Sequence, residues 1–335
     1  MRAGREKQFT AGFRSAPTEP APLGFRRLVL ATGLATFALI LLGGVVRVSD
    51  SGLGCGPAGS GFNGWPFCNG DVVPGVDLNS IIEYAHRVVA VVVGFMILTL
   101  FVAAWRRERA FLPAASALLV LVIAQGALGG ATVEENLEEV YVAAHLGLAM
   151  VLLGLILYLW RAARGAEPVE GGPRLRGLAV AATAAVLCTI VAGGYMAGTQ
   201  NYGRADYQLG DGAHHACGKE FPTCNGDFMP FGQAELVDVH LTHRAFMYLA
   251  SLLVIALVAL ALRRGVLERH AWSLAALLAV QVLVGALNVW LDEYELLILL
   301  HLALGTLLWA TALTMTLSLA PARRRAPSRA EPVAA

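Results

Sequence analysis

Eight long apolar segments constrain what this chain can fold into more than any other feature of its sequence. The hydrocarbon core of a bilayer is about 30 Å thick, and an α-helix needs about 20 apolar residues to cross it. The segments have about that length and lack the alternation typical of a strand. Because backbone amides in lipid must be hydrogen-bonded within their own segment, eight transmembrane helices are predicted. They cover residues 28–46, 81–104, 111–133, 140–160, 178–197, 239–262, 271–291 and 296–319.

The composition supports an all-α integral membrane protein. Of the 335 residues, 57% are hydrophobic and only 15% are charged, whereas soluble domains carry about 25% charged residues. The formal net charge of +1 provides no basic surface, which argues against nucleic acid as a partner. Collagen-like, disordered and disulfide-scaffold classes are excluded by the same composition.

The positive charges predict the orientation in the membrane. Short loops rich in lysine and arginine remain in the cytoplasm, and every second connection is basic while the others are acidic or nearly neutral. We therefore expect a multi-pass protein of the cell membrane, with both termini cytoplasmic and the cysteine-containing loops on the outer face. The first span is too long for a signal-peptide core, so no cleavage is expected. The basic connections contain Arg106, Arg107, Arg109, Arg161, Arg164, Arg174, Arg176, Arg263, Arg264 and Arg269.

An internal repeat extends over most of the chain. WPFCNGD at residues 65–71 returns as FPTCNGD at residues 221–227, and other positions return at the same offset of 156 or 157 residues. The repeat predicts two tandem four-helix bundles related by internal duplication, at residues 25–165 and 166–320, between cytoplasmic tails at 1–24 and 321–335. The other repeated residues are His86 and His243, Arg87 and Arg244, Gln125 and Gln281, and His145 and His301.

Four repeated histidines, His86, His145, His243 and His301, lie near the outer ends of their predicted spans, roughly 9 Å deep. Two histidines per half on facing helices predict the axial ligands of a flat metallocycle, and haem is the natural candidate. Hydrogen bonding between helices is the alternative. Zinc would need a third and a fourth ligand, which the neighbouring sequence does not supply. The sequence favours a surface position for His214, His215 and His270.

Glu83 lies one turn before His86, whereas the second half has His240 at the corresponding place. A carboxylate on the same helix face as a haem ligand can take or give protons, so catalysis is predicted in the first half alone. An ion pair between Glu83 and Arg87 is the alternative interpretation. Arg87 and Arg244 are candidates for pairing with haem propionates at the outer membrane edge.

The cysteines form two loop pairs and one isolated position. Cys55 and Cys68 lie in the first outer loop, and Cys217 and Cys224 lie in a later one. Each pair is interpreted either as a structural disulfide or as a redox pair on the oxidising face of the membrane. Cys188, within a span, is interpreted as a small apolar packing residue.

Several motifs together resemble the haem A synthase family of the cytochrome oxidase assembly pathway. In the first half these are GGVVRVSDSGLGC, WPFCNGD, EYAHR, QGALGG and HLGLAM, and in the second FPTCNGD, HLTHR and HLALGT. The resemblance extends over residues 26–319. It implies conversion of the C8 methyl group of haem O to the formyl group of haem A, through an alcohol and a hydrated aldehyde.

The resemblance also implies roles for single residues. Glu83 matches the essential acidic position of the family, His86 and His145 would hold the substrate haem O, and His243 and His301 would ligate the iron of a resident haem b. The implied partners are haem O synthase (protohaem farnesyltransferase), a quinone or another electron acceptor, and the lipid bilayer. Association between copies of the chain is left open.

Three other classes of protein share part of the pattern. A diheme b-type electron-transfer cytochrome would use the four histidines but leaves Glu83 without a role. A quinone-coupled thiol oxidase would depend on Cys55 and Cys68 but leaves the histidines unexplained. A transporter would place its polar residues at the membrane midplane, whereas these residues lie near one face.

Overall fold

The computed structural model describes residues 19–199, 212–291 and 295–320. These residues form eight long helices, each long and apolar enough to cross a membrane, so all eight predicted spans are confirmed. Most of the N-terminal tail and the C-terminal tail lie outside the described residues. The helices are α1 Leu23–Val48, α2 Leu78–Arg106, α3 Leu112–Glu134, α4 Glu139–Ala163, α5 Gly172–Gly198, α6 Glu235–Arg263, α7 Glu268–Trp290 and α8 Glu295–Ser318.

Several helices begin before their apolar segments do. Helix α5 begins at Gly172, six residues ahead of the predicted start, and has Pro173 in its first turn. Proline suits the first turn because its fixed φ is helical and its missing N–H would have no partner there. Helix α2 begins after Asp77, whose side chain accepts a 2.9 Å hydrogen bond from the Ser80 N–H. This cap lowers the pKa of Asp77, and such polar first turns extend a helix beyond the hydrocarbon.

The helices pack as two groups of four. In the first group, α1 contacts α2 and α4, and α3 contacts the same two helices. In the second group, α5 contacts α6 and α8, and α7 contacts the same two. The groups meet mainly where α4 lies against α5, with further contacts from α8 to α1 and α4. The cyclic order of neighbours is thus the same in both groups, although the duplication itself stays a prediction.

The tightly packed cores occupy the end of each bundle away from the cysteine loops. The first includes Ile97, Leu100 and Leu118, and the second includes Leu257 and Leu274, all of them fully buried. Ile97, Leu100 and Leu257 lie further along α2 and α6 than His86 and His243 do. Leu118 and Leu274 lie near the starts of α3 and α7, which run in the opposite direction, so close packing at this end leaves space at the loop end. The fold therefore positions a cavity around the histidines.

Arg47 connects the two bundles at the cavity end. Its Nε donates to the carbonyl of Ala197 at 3.0 Å, close to the last residue of α5. A cation at this position also complements the negative end of the helix dipole. The contact holds the last turn of α1 against the last turn of α5.

The two copies of the Cys-Asn-Gly-Asp motif form the same tight turn, at residues 68–71 and 224–227. In both, the cysteine N–H donates to the aspartate carbonyl at 2.8 Å, and the aspartate N–H donates to the cysteine carbonyl at 3.1 Å. The Asn-Gly pair has φ values of 54° and 87° in the first copy and 52° and 88° in the second. Positive φ at both central residues defines a type I′ turn, for which Asn-Gly is the favoured sequence.

Both loop cysteine pairs form disulfides, Cys55 with Cys68 and Cys217 with Cys224. The two cysteines of each pair therefore meet, and the choice between a structural and a redox role stays a prediction because a redox pair also forms a disulfide when oxidised. The packing role predicted for Cys188 is wrong, because this residue is exposed on α5. At that position the helix presents a face that a membrane, not protein, would cover.

Candidate functional site

One cavity of about 880 Å³ lies between the two bundles and is lined by residues of all eight helices. Its volume is within the range of small-molecule sites, about 300–1,000 Å³. Every predicted site residue except the cysteines contributes to its wall. These residues are Glu83, His86, Arg87, His145, His243, Arg244 and His301.

The histidines of the second bundle face each other across the cavity. His243 is eight residues from the start of α6 and His301 is six residues from the start of α8. Their ring centroids are 6.5 Å apart. A metal–imidazole bond is about 2 Å long, so this separation fits two imidazoles that bind opposite faces of one haem iron. His86 and His145 hold the same positions in α2 and α4.

A glycine of a neighbouring helix lies against each of the four imidazole rings. A Cβ added to any of these glycines would lie 2.9–3.2 Å from the Cε1 atom of the histidine, which is tighter than ordinary contact. Each glycine therefore leaves its ring free to turn toward the cavity, and sequence reasoning missed all four. These glycines belong to small-residue motifs that precede the histidines, and those motifs are the signal from which they could have been identified. The pairs are Gly43 with His86, Gly129 with His145, Gly193 with His243, and Gly285 with His301.

Glu83 is buried, with 4% of its surface exposed, and is held by two partners. One carboxylate oxygen accepts a 2.8 Å hydrogen bond from the backbone N–H of Cys55. The other oxygen is paired with the Arg87 guanidinium, so the ion pair considered as an alternative is present. Because the same carboxylate lines the cavity beside His86, the ion pair fixes its position without removing it from the site.

The two repeated arginines anchor the two cysteine loops. Arg87 donates from Nη1 to the carbonyls of Gly64 and Phe67, both at 2.7 Å. Arg244 donates to the carbonyls of Glu220 and Thr223, the corresponding residues of the repeat, both at 2.8 Å. Each guanidinium thus connects a histidine-bearing helix to the turn above it. The predicted pairing of Arg87 and Arg244 with propionates stays a prediction.

Three further histidines lie near the second pair. His240, which replaces the acid of the first half, is buried, and its Nδ1 lies 2.8 Å from the carbonyl oxygen of Ala213. The surface position predicted for His214 and His215 is wrong, since both line the cavity. They belong to a short 3₁₀ turn that His240 holds against α6. Burial holds the pKa of His214 well below its ordinary value, so its ring is neutral at neutral pH.

The described residues contain no cluster of three or more histidine, cysteine, aspartate or glutamate side chains that could hold a bare metal ion. A haem needs only one or two protein ligands because the macrocycle supplies the rest. Two facing histidines with an apolar cavity between them therefore fit a haem better than a bare transition metal.

Comparison with known proteins decides the family. The model of the COX15-CtaA family of cytochrome oxidase assembly proteins matches residues 26–313. The chain belongs to this family. Together with its eight apolar helices, this membership makes it a multi-pass membrane protein. The match begins in α1 and ends in α8, so it includes every residue of the cavity wall.

Individual members of the family are similar over most of their length. The heme A synthase of Symbiobacterium thermophilum is 31% identical over 285 residues, which cover 78% of this chain and 84% of the relative. That of Halalkalibacterium halodurans is 30% identical over 239 residues, or 68% and 73%. That of Shouchella clausii is 28% identical over 246 residues, or 70% and 75%.

Proposed function

We propose that this chain is a haem A synthase, a membrane oxidoreductase that converts the C8 methyl group of haem O to a formyl group for cytochrome oxidase. The observation that carries the proposal is the position of Glu83. In a chain of this family, a single buried carboxylate lines the same cavity as two pairs of histidines. An electron-transfer cytochrome would need the histidines but not the acid.

The substrate haem O is assigned to the first bundle, with His86 and His145 as its axial ligands. Glu83 is three residues before His86 and therefore lies on the same helix face, nearer the loop end. The Cys55 N–H and the Arg87 guanidinium hold the carboxylate in a fixed orientation. In that position Glu83 can accept protons released as the methyl carbon is oxidised.

The resident haem b is assigned to the second bundle, where His243 and His301 would hold its iron. When bound, it supplies one-electron transfer between the reaction site and an external acceptor. The 6.5 Å separation of the two rings supports this assignment. His240 occupies the place of the acid in this bundle, and its Nδ1 is hydrogen-bonded to the loop, so the second bundle lacks the carboxylate that the first bundle places beside its histidines.

The division into halves and the orientation belong to the same proposal. The first half comprises residues 25–165 and the second residues 166–320, with cytoplasmic tails on either side and the cysteine loops on the outer face. The alternation of basic and acidic connections supports this orientation. A green fluorescent protein fused after residue 335 should fluoresce, whereas alkaline phosphatase fused there should be inactive. The opposite result would reverse the orientation.

The partners are proposed from the chemistry of the substrate. Haem O carries a long isoprenoid tail that favours lipid, so direct transfer from haem O synthase would avoid passage through water. A membrane quinone is the electron acceptor that suits a haem buried between helices. Crosslinking of the chain to haem O synthase in membranes tests the first partner, and a chain that crosslinks only to copies of itself would contradict it.

The decisive experiment is production of haem A. The chain is expressed together with a haem O synthase in a host that makes no haem A, and the extracted haems are separated by reverse-phase chromatography with mass detection. A peak at the mass of haem A, or of its hydroxylated precursor, is expected. Haem B and haem O alone, in a folded protein with a bis-histidine spectrum, would instead support an electron-transfer cytochrome.

The two disulfides are expected to differ in their effect on this reaction. Removing either pair by double serine substitution should lower the free energy of unfolding by about 2–4 kcal/mol. Loss of Cys217 and Cys224 should leave haem A formation intact. Loss of Cys55 and Cys68 should also reduce haem A formation, because the Cys55 N–H holds Glu83. Thermal unfolding in detergent and haem extraction measure the two effects.

A redox role would give a different pattern. If the cysteines themselves carried electrons, as in a thiol oxidase, loss of one pair would abolish turnover while thermal stability and haem content stayed close to those of the unmodified chain. That result would remove the structural interpretation of the disulfides.

A further inference from the structure

The imidazole rings of the second bundle are supported by hydrogen bonds. The Nδ1 of His243 lies 3.0 Å from the carbonyl oxygen of Thr189. The amide nitrogen of Gln281 lies 3.3 Å from Nδ1 and 3.2 Å from Nε2 of His301. A histidine that binds a metal through Nε2 carries a proton on Nδ1, and an acceptor for that proton fixes both the tautomer and the ring orientation.

Gln281 can supply such an acceptor to His301. Its side-chain oxygen is buried and has no hydrogen-bond partner among the described residues. Rotation of the amide group by half a turn exchanges its nitrogen and oxygen. The amide is nearly equidistant from the two ring nitrogens and therefore lies over the ring face. A turn of the imidazole about χ2 then brings the Nδ1–H to the oxygen, and an otherwise costly buried acceptor is satisfied.

The rings of the first bundle have no comparable support. The Nδ1 atoms of His86 and His145 are both buried without a hydrogen-bond partner among the described residues. Gln125 corresponds to Gln281 in the repeat, yet its amide nitrogen donates to the backbone carbonyl of His145 at 3.0 Å. The same residue type therefore contacts the ring in one bundle and the backbone in the other.

The two bundles differ by a single methyl group at the position beside this amide. Gly305 lies one turn after His301, and a Cβ added there would lie 3.2 Å from the amide nitrogen of Gln281. Its absence leaves room for the amide beside the ring. The first bundle has Ala149 at the corresponding position, one turn after His145, and both positions line the cavity.

We propose that Gln281, accommodated by Gly305, is a positioning residue that retains the haem of the second bundle, and that Ala149 withholds the same support from the first bundle so that its haem can exchange. This inference rests on the proposed function, in which one histidine pair holds a permanent cofactor and the other holds a substrate that must leave as product. The histidines that would hold the permanent haem have polar partners at Nδ1, and those that would hold the exchanging haem have none among the described residues, as this division requires.

The test measures how fast haem leaves the protein. The full chain is purified in detergent from cells that make no haem O, and transfer of its haem to excess apomyoglobin is followed by absorbance. Gln281→Leu and Gly305→Ala should each accelerate haem loss about tenfold to a hundredfold, as does loss of other groups that orient a metal ligand. The low-spin signal in electron paramagnetic resonance should shift in both variants.

Two matched controls isolate the effect. Gln125→Leu removes the corresponding amide of the first bundle, and Gly177→Ala adds a methyl group to a helical glycine with nothing within 4 Å of the new atom. Both should lose the haem of the second bundle at the unmodified rate. An unmodified rate in Gln281→Leu, or an equal acceleration in the controls, would overturn the inference.

The reciprocal variant tests the other half of the proposal. Ala149→Gly should let Gln125 reach the ring of His145, so haem O supplied by a co-expressed synthase should remain bound through purification. Release at the unmodified rate would contradict the role given to Ala149.

His301→Ala separates this inference from the proposed function. If that variant keeps the haem and its bis-histidine spectrum, the second pair does not hold the cofactor, and both the haem b assignment and the positioning role fail, whereas haem A production tests the catalytic function separately. If it loses the haem while Gln281→Leu has no effect, only the positioning role fails.

Discussion

Replacement of Glu83 by glutamine is expected to keep both haems bound and to lower conversion of haem O about a hundredfold or more. The amide has nearly the shape of the carboxylate and its oxygen can still accept the Cys55 N–H. It cannot accept a proton, however, and general acid–base catalysis contributes about 10²–10⁴-fold to a rate. The measurement is the ratio of haem A to haem O in extracts, at matched protein and haem content.

Glu135→Gln is the matched control, because this acid is exposed in the loop between α3 and α4 and does not line the cavity. It should produce haem A at the unmodified rate. The thermal stability of Glu83→Gln must be measured as well, since the variant leaves Arg87 without its anionic partner. Unchanged haem A production by a folded Glu83→Gln protein would remove the catalytic assignment.

Replacement of His243 or His301 by alanine is expected to remove the resident haem. Each variant takes away one of the two imidazoles that face each other across the second bundle. With haem O supplied, the haem content should fall from about two equivalents per chain to about one, because each pair holds one haem. Haem content and the visible spectrum of the purified protein measure the loss, and haem A formation should fall with it.

The corresponding variants of the first bundle should behave differently. His86→Ala and His145→Ala should retain the resident haem but lose conversion of haem O, and His270→Ala, outside the cavity wall, should change neither. If His86→Ala removed the resident haem while His301→Ala did not, the assignment of the two bundles would be reversed.

The sequence was sufficient to predict the helices and seven of the side chains that line the cavity. Spans of about 20 apolar residues have one stable solution in lipid, and a repeat offset that is constant to one residue brings corresponding side chains to corresponding positions. This reasoning placed Glu83 beside His86 and identified both histidine pairs. The same reasoning left the roles of the cysteine pairs open, because spacing alone does not reveal whether two cysteines meet.

What the sequence could not provide are contacts between segments distant along the chain. The sequence favoured a surface position for His214 and His215, yet the short turn that carries them lines the cavity. Arg87 and Arg244 also donate to loop carbonyls, which are contacts that the sequence did not predict. The sequence shows that Ala149 corresponds to Gly305 in the repeat. The structural consequence of this difference depends on the Gln281 amide, which lies beside Gly305.

If Glu83 has the role proposed above, its depth in the membrane determines how strongly proton release from the reaction depends on the membrane voltage. The residue is five positions after Leu78 at the start of α2, or about 7.5 Å along the helix axis at 1.5 Å per residue. A full crossing of the membrane by one charge is worth about 2.3 kcal/mol per 100 mV. Because the first turn of α2 extends beyond the hydrocarbon, a proton passing between Glu83 and the water beyond the cysteine loops would cross at most about a quarter of the membrane, or at most ~0.6 kcal/mol per 100 mV. The free energy of proton release on this path is therefore nearly independent of the membrane potential.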